Sequence, residues 1–168
     1  NSSIFKDHSN KQLNILIGYS LGGRLALHSL LENDKWNAAI IISANPGLTS
    51  ESEKQARITN DNMWANRFLN EKWDVVMESW NAQGVFSNIQ NSFCRDEKQF
   101  NKNEVANILT GFSLGKQDNL REKIKNLSIP ILWIAGEKDT KFAKVAHEMK
   151  DLNNKIEIKI IHDAGHRV

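Results

Sequence analysis

Ser20, Asp139 and His166 are residue types that can share one proton, and each sits beside glycine in a short turn-like segment. The segments are Gly18-Tyr19-Ser20-Leu21-Gly22, Gly136-Glu137-Lys138-Asp139 and Asp163-Ala164-Gly165-His166. In such a trio the imidazole takes the hydroxyl proton, and the carboxylate fixes the ring tautomer and steadies the imidazolium. Alternatives stand close by. Glu137 competes with Asp139 for the acid role. His162 and Asp163 neighbour the third segment, and His162 is expected to serve packing or solvent. His28 follows Ser20 by eight residues, while His8 and His147 have no matching context. Cys94 is the only cysteine, so neither an internal disulfide nor a multi-cysteine metal site can form, and nothing near it supports a catalytic thiol.

The elements around these residues determine whether they can meet. An apolar run at 13–17 reads as a strand, and apolar residues at 21, 25, 27, 30 and 31 read as a helix over 20–31 pressed against a sheet. The glycines between them are expected to carry the backbone through a tight, strained turn that side chains would block. Ser20 then projects above the sheet near a helix N-terminus, whose amides favour negative charge. Further strands are expected at 38–43, 129–135 and 155–161, with a helix over 142–152. The first three strands are nearly continuous apolar runs, which predicts parallel strands covered on both faces. The last alternates Ile156, Ile158 and Ile160 with Glu157 and Lys159, as an outer strand should. Strand–helix–strand alternation predicts an α/β fold with right-handed crossovers. Asp139 then follows the third strand and His166 the fourth. Strand, G-x-S-x-G turn and helix, with the order Ser, acid, His, resemble the nucleophile elbow and triad of the α/β-hydrolases. The fold expected is the C-terminal part of that fold, a mostly parallel sheet of about four strands with an inserted helical cap.

The domain reading assigns 1–44 and 128–168 to the partial core and 45–127 to the cap. In the latter, Thr49 or Ser50 caps a helix running through 51–57 and beyond. Other helical stretches are expected at 61–69, 72–80, 102–110 and 119–125. Most of the aromatic residues fall in or next to this insertion. It is expected to lie over the strand ends, where open α/β sheets bind ligands.

Composition narrows the function classes. A chain of 168 residues, 40% hydrophobic, can bury a single core. Its net charge is +2 and its cations are scattered among acids, so no nucleic-acid partner is expected. No apolar run approaches the length of a membrane span, so no membrane partner is expected either. The start, Asn1-Ser2-Ser3-Ile4, resembles neither a signal nor a transit peptide and lacks an initiator methionine. A lone cysteine suits a reducing compartment, and a cytoplasmic location is expected.

More specific segments follow the elbow. They are Gly22-Gly23-Arg24, Ser43-Ala44-Asn45-Pro46-Gly47-Leu48, Glu53-Lys54-Gln55-Ala56-Arg57, Trp64-Ala65, Phe68, and Trp80 leading to Val85-Phe86. Ser113-Leu114-Gly115-Lys116-Gln117 and Gly136-Glu137-Lys138-Asp139-Thr140-Lys141-Phe142 complete the set. Together they resemble the 2-succinyl-6-hydroxy-2,4-cyclohexadiene-1-carboxylate synthases, the MenH-type lyases of menaquinone biosynthesis, from residue 13 onward. The resemblance implies elimination of pyruvate from a cyclohexene polycarboxylate bearing an enolpyruvyl group. Ser20, activated by His166, acts as general base without a metal or organic cofactor. It also implies substrate contacts at Tyr19, Leu21, Arg24, Arg57 and Trp80, the Leu21 contact through its backbone amide. Such a partner is a small anionic polycarboxylate, and two arginines suit it. From the residues alone, Arg24 and Arg57 remain open to being solvated helix arginines, and Trp80 to being cap core. A carboxylesterase or related acyl hydrolase on the same triad is the alternative function, and a noncatalytic binding domain a third. This chain departs from the pattern in beginning shortly before Ser20, without the strands and His-Gly loop the family carries upstream, and in ending two residues after His166. It therefore reads as cut at both ends, and full activity is not expected of it alone. After Trp80, Asn81 and Gly84 stand where the family has Tyr and Pro. Arg95, Lys98 and Lys102 offer no clear counterpart to a further cap arginine.

Overall fold

The computed structural model describes residues 13–84, 86 and 95–168; His8, Val85, Phe93 and Cys94 lie outside the described residues. Strands β1 (Ile15–Tyr19), β2 (Ala38–Ile42), β3 (Ile131–Gly136) and β4 (Ile156–Ile161) form one sheet in the order β1-β2-β3-β4, all neighbours parallel. Helix α1 (Leu21–Glu32) links β1 to β2, and α6 (Thr140–Leu152) links β3 to β4. Between β2 and β3 lie α2 (Glu51–Asn70), α3 (Trp73–Asn81), α4 (Lys102–Gly111) and the single-turn α5 (Arg121–Ile124).

The register decides where the core sits. Pairing of Leu16 with Ala39, Ile41 with Trp133 and Trp133 with Ile158 collects one set of alternate side chains on one face. Leu27 and Leu30 of α1, Ile124 of α5, and Val145, Ala146 and Met149 of α6 close over that face in one apolar cluster. Leu27, Ile41, Trp133, Met149 and Ile156 have no exposed surface, and burying each such side chain stabilises the fold by about 1.5–3 kcal/mol. Asn153, buried at the end of α6, donates from Nδ2 to the carbonyls of Ile124 (2.8 Å) and Leu127 (3.0 Å) and accepts the Lys155 N–H (2.8 Å). Among the described residues, the opposite face does not meet the expectation of cover on both sides at β1, where Ile15 is 52% and Ile17 62% exposed. The reason is topological. Strands that advance in one direction across a sheet, joined by right-handed crossovers, send their connecting helices to the same face.

A second apolar cluster forms among Trp64 and Phe68 of α2 and Trp73 and Val76 of α3, with Trp80, Val105 and Leu109 against it. The two stretches expected at 51–57 and 61–69 are one continuous twenty-residue helix. Ser50 starts it: its hydroxyl accepts the Glu53 N–H (3.1 Å), and the Glu53 carboxylate accepts the Ser50 N–H (3.4 Å). The Ser50 N–H, together with the Ser50 hydroxyl donating to the same carboxylate (3.2 Å), holds the Glu53 carboxyl below its ordinary range. The Asn60-Asp61-Asn62 segment does not break the helix. Asp61 is engaged by Arg57 one turn back, and Trp64 and Phe68 bury the continuing face.

Candidate active site

The parallel strands end at a common edge, and the three residues singled out for shared proton chemistry follow β1, β3 and β4 there. Ser20 comes directly after β1, where its N–H extends the ladder to the Ile42 carbonyl at 2.8 Å. Its φ of 51° is left-handed, a strained setting for a side-chain-bearing residue. The glycines beside it do unequal work. A Cβ on Gly18 would lie 2.5 Å from the Gly22 carbonyl oxygen, and one on Gly23 would lie 2.7 Å from the Ala44 Cβ. Among the described residues a Cβ on Gly22 meets nothing within 4 Å. Close approach of α1 to β1 and β2 therefore needs Gly18 and Gly23, which refines the expectation laid on every glycine of the motif.

The acid and histidine loops are locked together through backbone. Lys138 N–H donates to the Ala164 carbonyl at 2.8 Å, and Gly136 lies so close that an added Cβ would sit 2.0 Å from the Gly165 carbonyl oxygen. Asp139 and His166 are both buried. His166 Nδ1 is 2.7 Å from Asp139 Oδ2, and Nε2 is 3.1 Å from Ser20 Oγ. With Nδ1–H donated to the carboxylate, Nε2 is left to accept from the serine hydroxyl. Phe142 flanks the imidazole at 4.6 Å between ring centroids and Phe86 at 6.1 Å. Glu137 goes elsewhere. Its carboxylate accepts the Asp163 N–H (3.1 Å) and pairs with exposed His162 (2.8 Å), and the Asp163 bond chiefly lowers its pKa.

A cavity of about 710 Å³ lies between this edge and the helices α2–α4. Ser20, Leu21 and His166 line one side, and Arg57, Trp64 and Trp80 the other. Leu21 opens α1, so its N–H has no acceptor within the helix. Arg24, one turn further, also lines the cavity; Nη2 donates to the Phe112 carbonyl (2.7 Å) and Nη1 to Gln117 Oε1 (3.3 Å). Burial, and then repulsion from Arg57, bring its pKa down to about 10. Arg57 instead donates from Nε to both oxygens of buried Asp61 at 2.8 Å. Trp80 serves as wall and as packing at once, its ring 5.0 Å from Trp64 and 5.5 Å from Phe68. Tyr19 is not among the residues lining the cavity. Its ring lies 5.6 Å from His166 and is 41% exposed; burial raises the phenol pKa, opposed by charge and hydrogen bonding from Arg167.

Two cavity residues, Ser43 and Asn45, were named in the sequence only within the Ser43-Ala44-Asn45-Pro46-Gly47-Leu48 segment and given no role at the site. Ser43 follows β2 as Ser20 follows β1, with φ 45°, full burial and no partner for its hydroxyl among the described residues. Asn45 uses Oδ1 to accept the Gly47 N–H (2.9 Å), shaping the loop that leaves the sheet. The available signal was positional, since whatever follows a parallel strand lies on the ligand-binding edge.

A sheet of this topology, with serine at the centre of a G-x-S-x-G turn and an aspartate–histidine pair after the last two strands, defines a class. The chain belongs to the α/β-hydrolase fold family, whose pattern it matches over residues 3–168. It is 36% identical over 137 residues to the 2-succinyl-6-hydroxy-2,4-cyclohexadiene-1-carboxylate synthase of Photorhabdus laumondii, covering 78% of this chain and 49% of that protein. To the Klebsiella pneumoniae synthase of the same name it is 32% identical over 156 residues, covering 90% and 60%. The structure of MenH from S. aureus matches with a TM-score of 0.83 at 25% identity, over 92% of this chain and 61% of that one. The chain thus spans between 49% and 60% of the length of these two curated relatives. Among the described residues no helix is long and apolar enough to cross a membrane.

Proposed function

We propose that this chain carries the reacting part of a carbon–oxygen lyase that eliminates pyruvate from 2-succinyl-5-enolpyruvyl-6-hydroxy-3-cyclohexene-1-carboxylate, the step that its sequence resemblance implies. The observation that carries the reading is one cavity with a serine–histidine–aspartate relay on one side and two guanidinium groups facing the same space. A neutral ester needs no such cations, whereas a polycarboxylate does. In the proposed step His166 Nε2 takes the Ser20 proton as Ser20 Oγ removes a ring proton. The C–H electrons at ring carbon 2 form the 2,3 double bond, the 3,4 double-bond electrons shift to the 4,5 position, the C5–O bond to the enolpyruvyl group breaks, and pyruvate leaves as its enolate, to be reprotonated from the imidazolium. Asp139 steadies that imidazolium. The Leu21 N–H and the guanidiniums lower the cost of the negative charge that develops. Within residues 45–127, helices α2–α4 act as the cap that excludes water, with Trp80 walling the ring.

The same relay, beside apolar Trp64, Trp80, Phe86 and Phe112, also suits a carboxylesterase, in which Ser20 forms an acyl-enzyme. One experiment separates the two. The protein in its full natural length is offered the enolpyruvyl substrate and simple neutral esters in parallel. Pyruvate release with negligible ester turnover supports the lyase. Ester turnover with a trapped serine adduct and no pyruvate rejects it.

A further inference from the structure

Arg24 is held by two acceptors that leave its charge intact. The Phe112 carbonyl closes α4, and Gln117 follows a short 3-10 turn at Leu114–Lys116. That turn is fixed in place: Ser113 Oγ accepts the Gly115 N–H, and Gly115 lies so near α2 that an added Cβ would be 2.3 Å from the Lys54 carbonyl oxygen. Gln117 is thus presented to Arg24 by a loop with little room to move. Its amide orientation is equally constrained. Oε1 faces the guanidinium while Nε2 is buried without a partner among the described residues. Reversing the amide would aim donors at donors, so the orphaned Nε2 is the cost of supplying Arg24 with an acceptor. Asp61, whose charge also acts on Arg24, is already occupied by Arg57.

We propose that Gln117 is a positioning residue that aims Arg24 into the cavity and, by being neutral, reserves the guanidinium charge for a substrate carboxylate, a role that rests on the polycarboxylate reading above. A glutamate at this position would keep the shape and the acceptor but supply an internal counter-ion competing with the substrate. An apolar methionine would remove the acceptor and leave the charge free but poorly aimed.

The test uses the full-length protein with two readouts: steady-state pyruvate release, and calorimetric binding of benzene-1,2,4-tricarboxylate as a probe anion. Gln117→Glu should raise KM and weaken tricarboxylate binding about tenfold or more, the scale of a charged hydrogen bond, with kcat within about twofold. Gln117→Met should raise KM about threefold, as loss of one of two neutral acceptors. Both variants should react with a serine-directed phosphonate at the wild-type rate. In an Arg24→Ala background, Gln117→Glu should have no further effect on anion binding. Wild-type anion binding by Gln117→Glu, or equal losses in kcat, labelling and affinity, overturns the proposal. If Gln117→Glu does not fold, Gln117→Met decides by the same split. If the wild-type protein binds the tricarboxylate and Gln117→Glu weakens it, yet no pyruvate is released, the reaction is wrong and the role of Gln117 stands. If pyruvate is released but Gln117→Glu binds the anion unchanged, the reaction stands and the role of Gln117 is wrong.

Discussion

The carboxyl edge of the sheet and the helices opposite it face one cavity but are built by different means. At the edge, backbone sets position. Ser20 is held by a ladder hydrogen bond and a left-handed φ, and the Asp139 and His166 loops meet through main-chain contacts too close for side chains. Across the cavity, side chains set position: an aromatic cluster, the Arg57–Asp61 pair and the two acceptors of Arg24. The two arginines repeat the contrast in charge, since Arg57 has a carboxylate in contact and Arg24 has neutral oxygens. The edge is thus suited to chemistry that tolerates little displacement, and the helices to choosing what is held against it.

Breaking the edge should have the largest effect. Ser20→Ala in the full-length protein should lower kcat for pyruvate release by about a thousandfold or more while leaving polycarboxylate binding nearly unchanged. Equal loss of binding would mean that the edge also selects the ligand. Breaking the opposite side should show the converse: Arg24→Ala should raise KM about ten- to a hundredfold with a smaller change in kcat. The pH profile sharpens this prediction. Because burial holds the Arg24 pKa at about 10, the side chain stays charged through neutral pH, and anion affinity should fall as pH rises through about 10. The sign for folding is opposite. The folded protein loses this proton before the unfolded chain does, so the charged, buried Arg24 costs stability below that pH, and the cost is relieved above it.

Smaller effects test how the edge is made. Gly23→Ala should lower unfolding stability by about 1–3 kcal/mol through overpacking against Ala44, measured by denaturant titration. Gly22→Ala, free of contacts among the described residues, should be neutral or gain up to about 1 kcal/mol from helix propensity. Equal losses at both glycines would show that the turn itself, not the approach of α1 to the sheet, is what they serve. Ser50→Ala should cost about 1 kcal/mol by removing the start of α2, with kcat unchanged.

Much of this architecture was legible from local pattern. Four apolar runs bounded by turn residues marked the strands to within about two residues, and a cap at Thr49 or Ser50 marked the start of α2. Its continuity from 57 to 61 was not legible. Asn60-Asp61-Asn62 reads as a break in isolation, and only burial of Trp64 and Phe68 and the Arg57–Asp61 pair carry the helix through. The exposure of Ile15 and Ile17 on the second face among the described residues was illegible for a related reason. Apolar runs report what a strand can bury, whereas strand order and crossover hand decide where the helices go.

For the site, spacing along the chain was enough to nominate Ser20, Asp139 and His166, because each follows a strand of a parallel sheet and such strands end at one edge. It favoured Asp139 but left Glu137 a competitor, since two carboxylates so close in sequence differ only in which way the loop turns. The fold draws that distinction, sending Asp139 to the imidazole and Glu137 to His162 and the Asp163 amide. Nor could it tell that Arg24 would meet neutral acceptors and Arg57 a buried carboxylate. Residue order carries the types available, but the electrostatic state of a charged group depends on partners brought near by packing, here from as far as 93 residues along the chain.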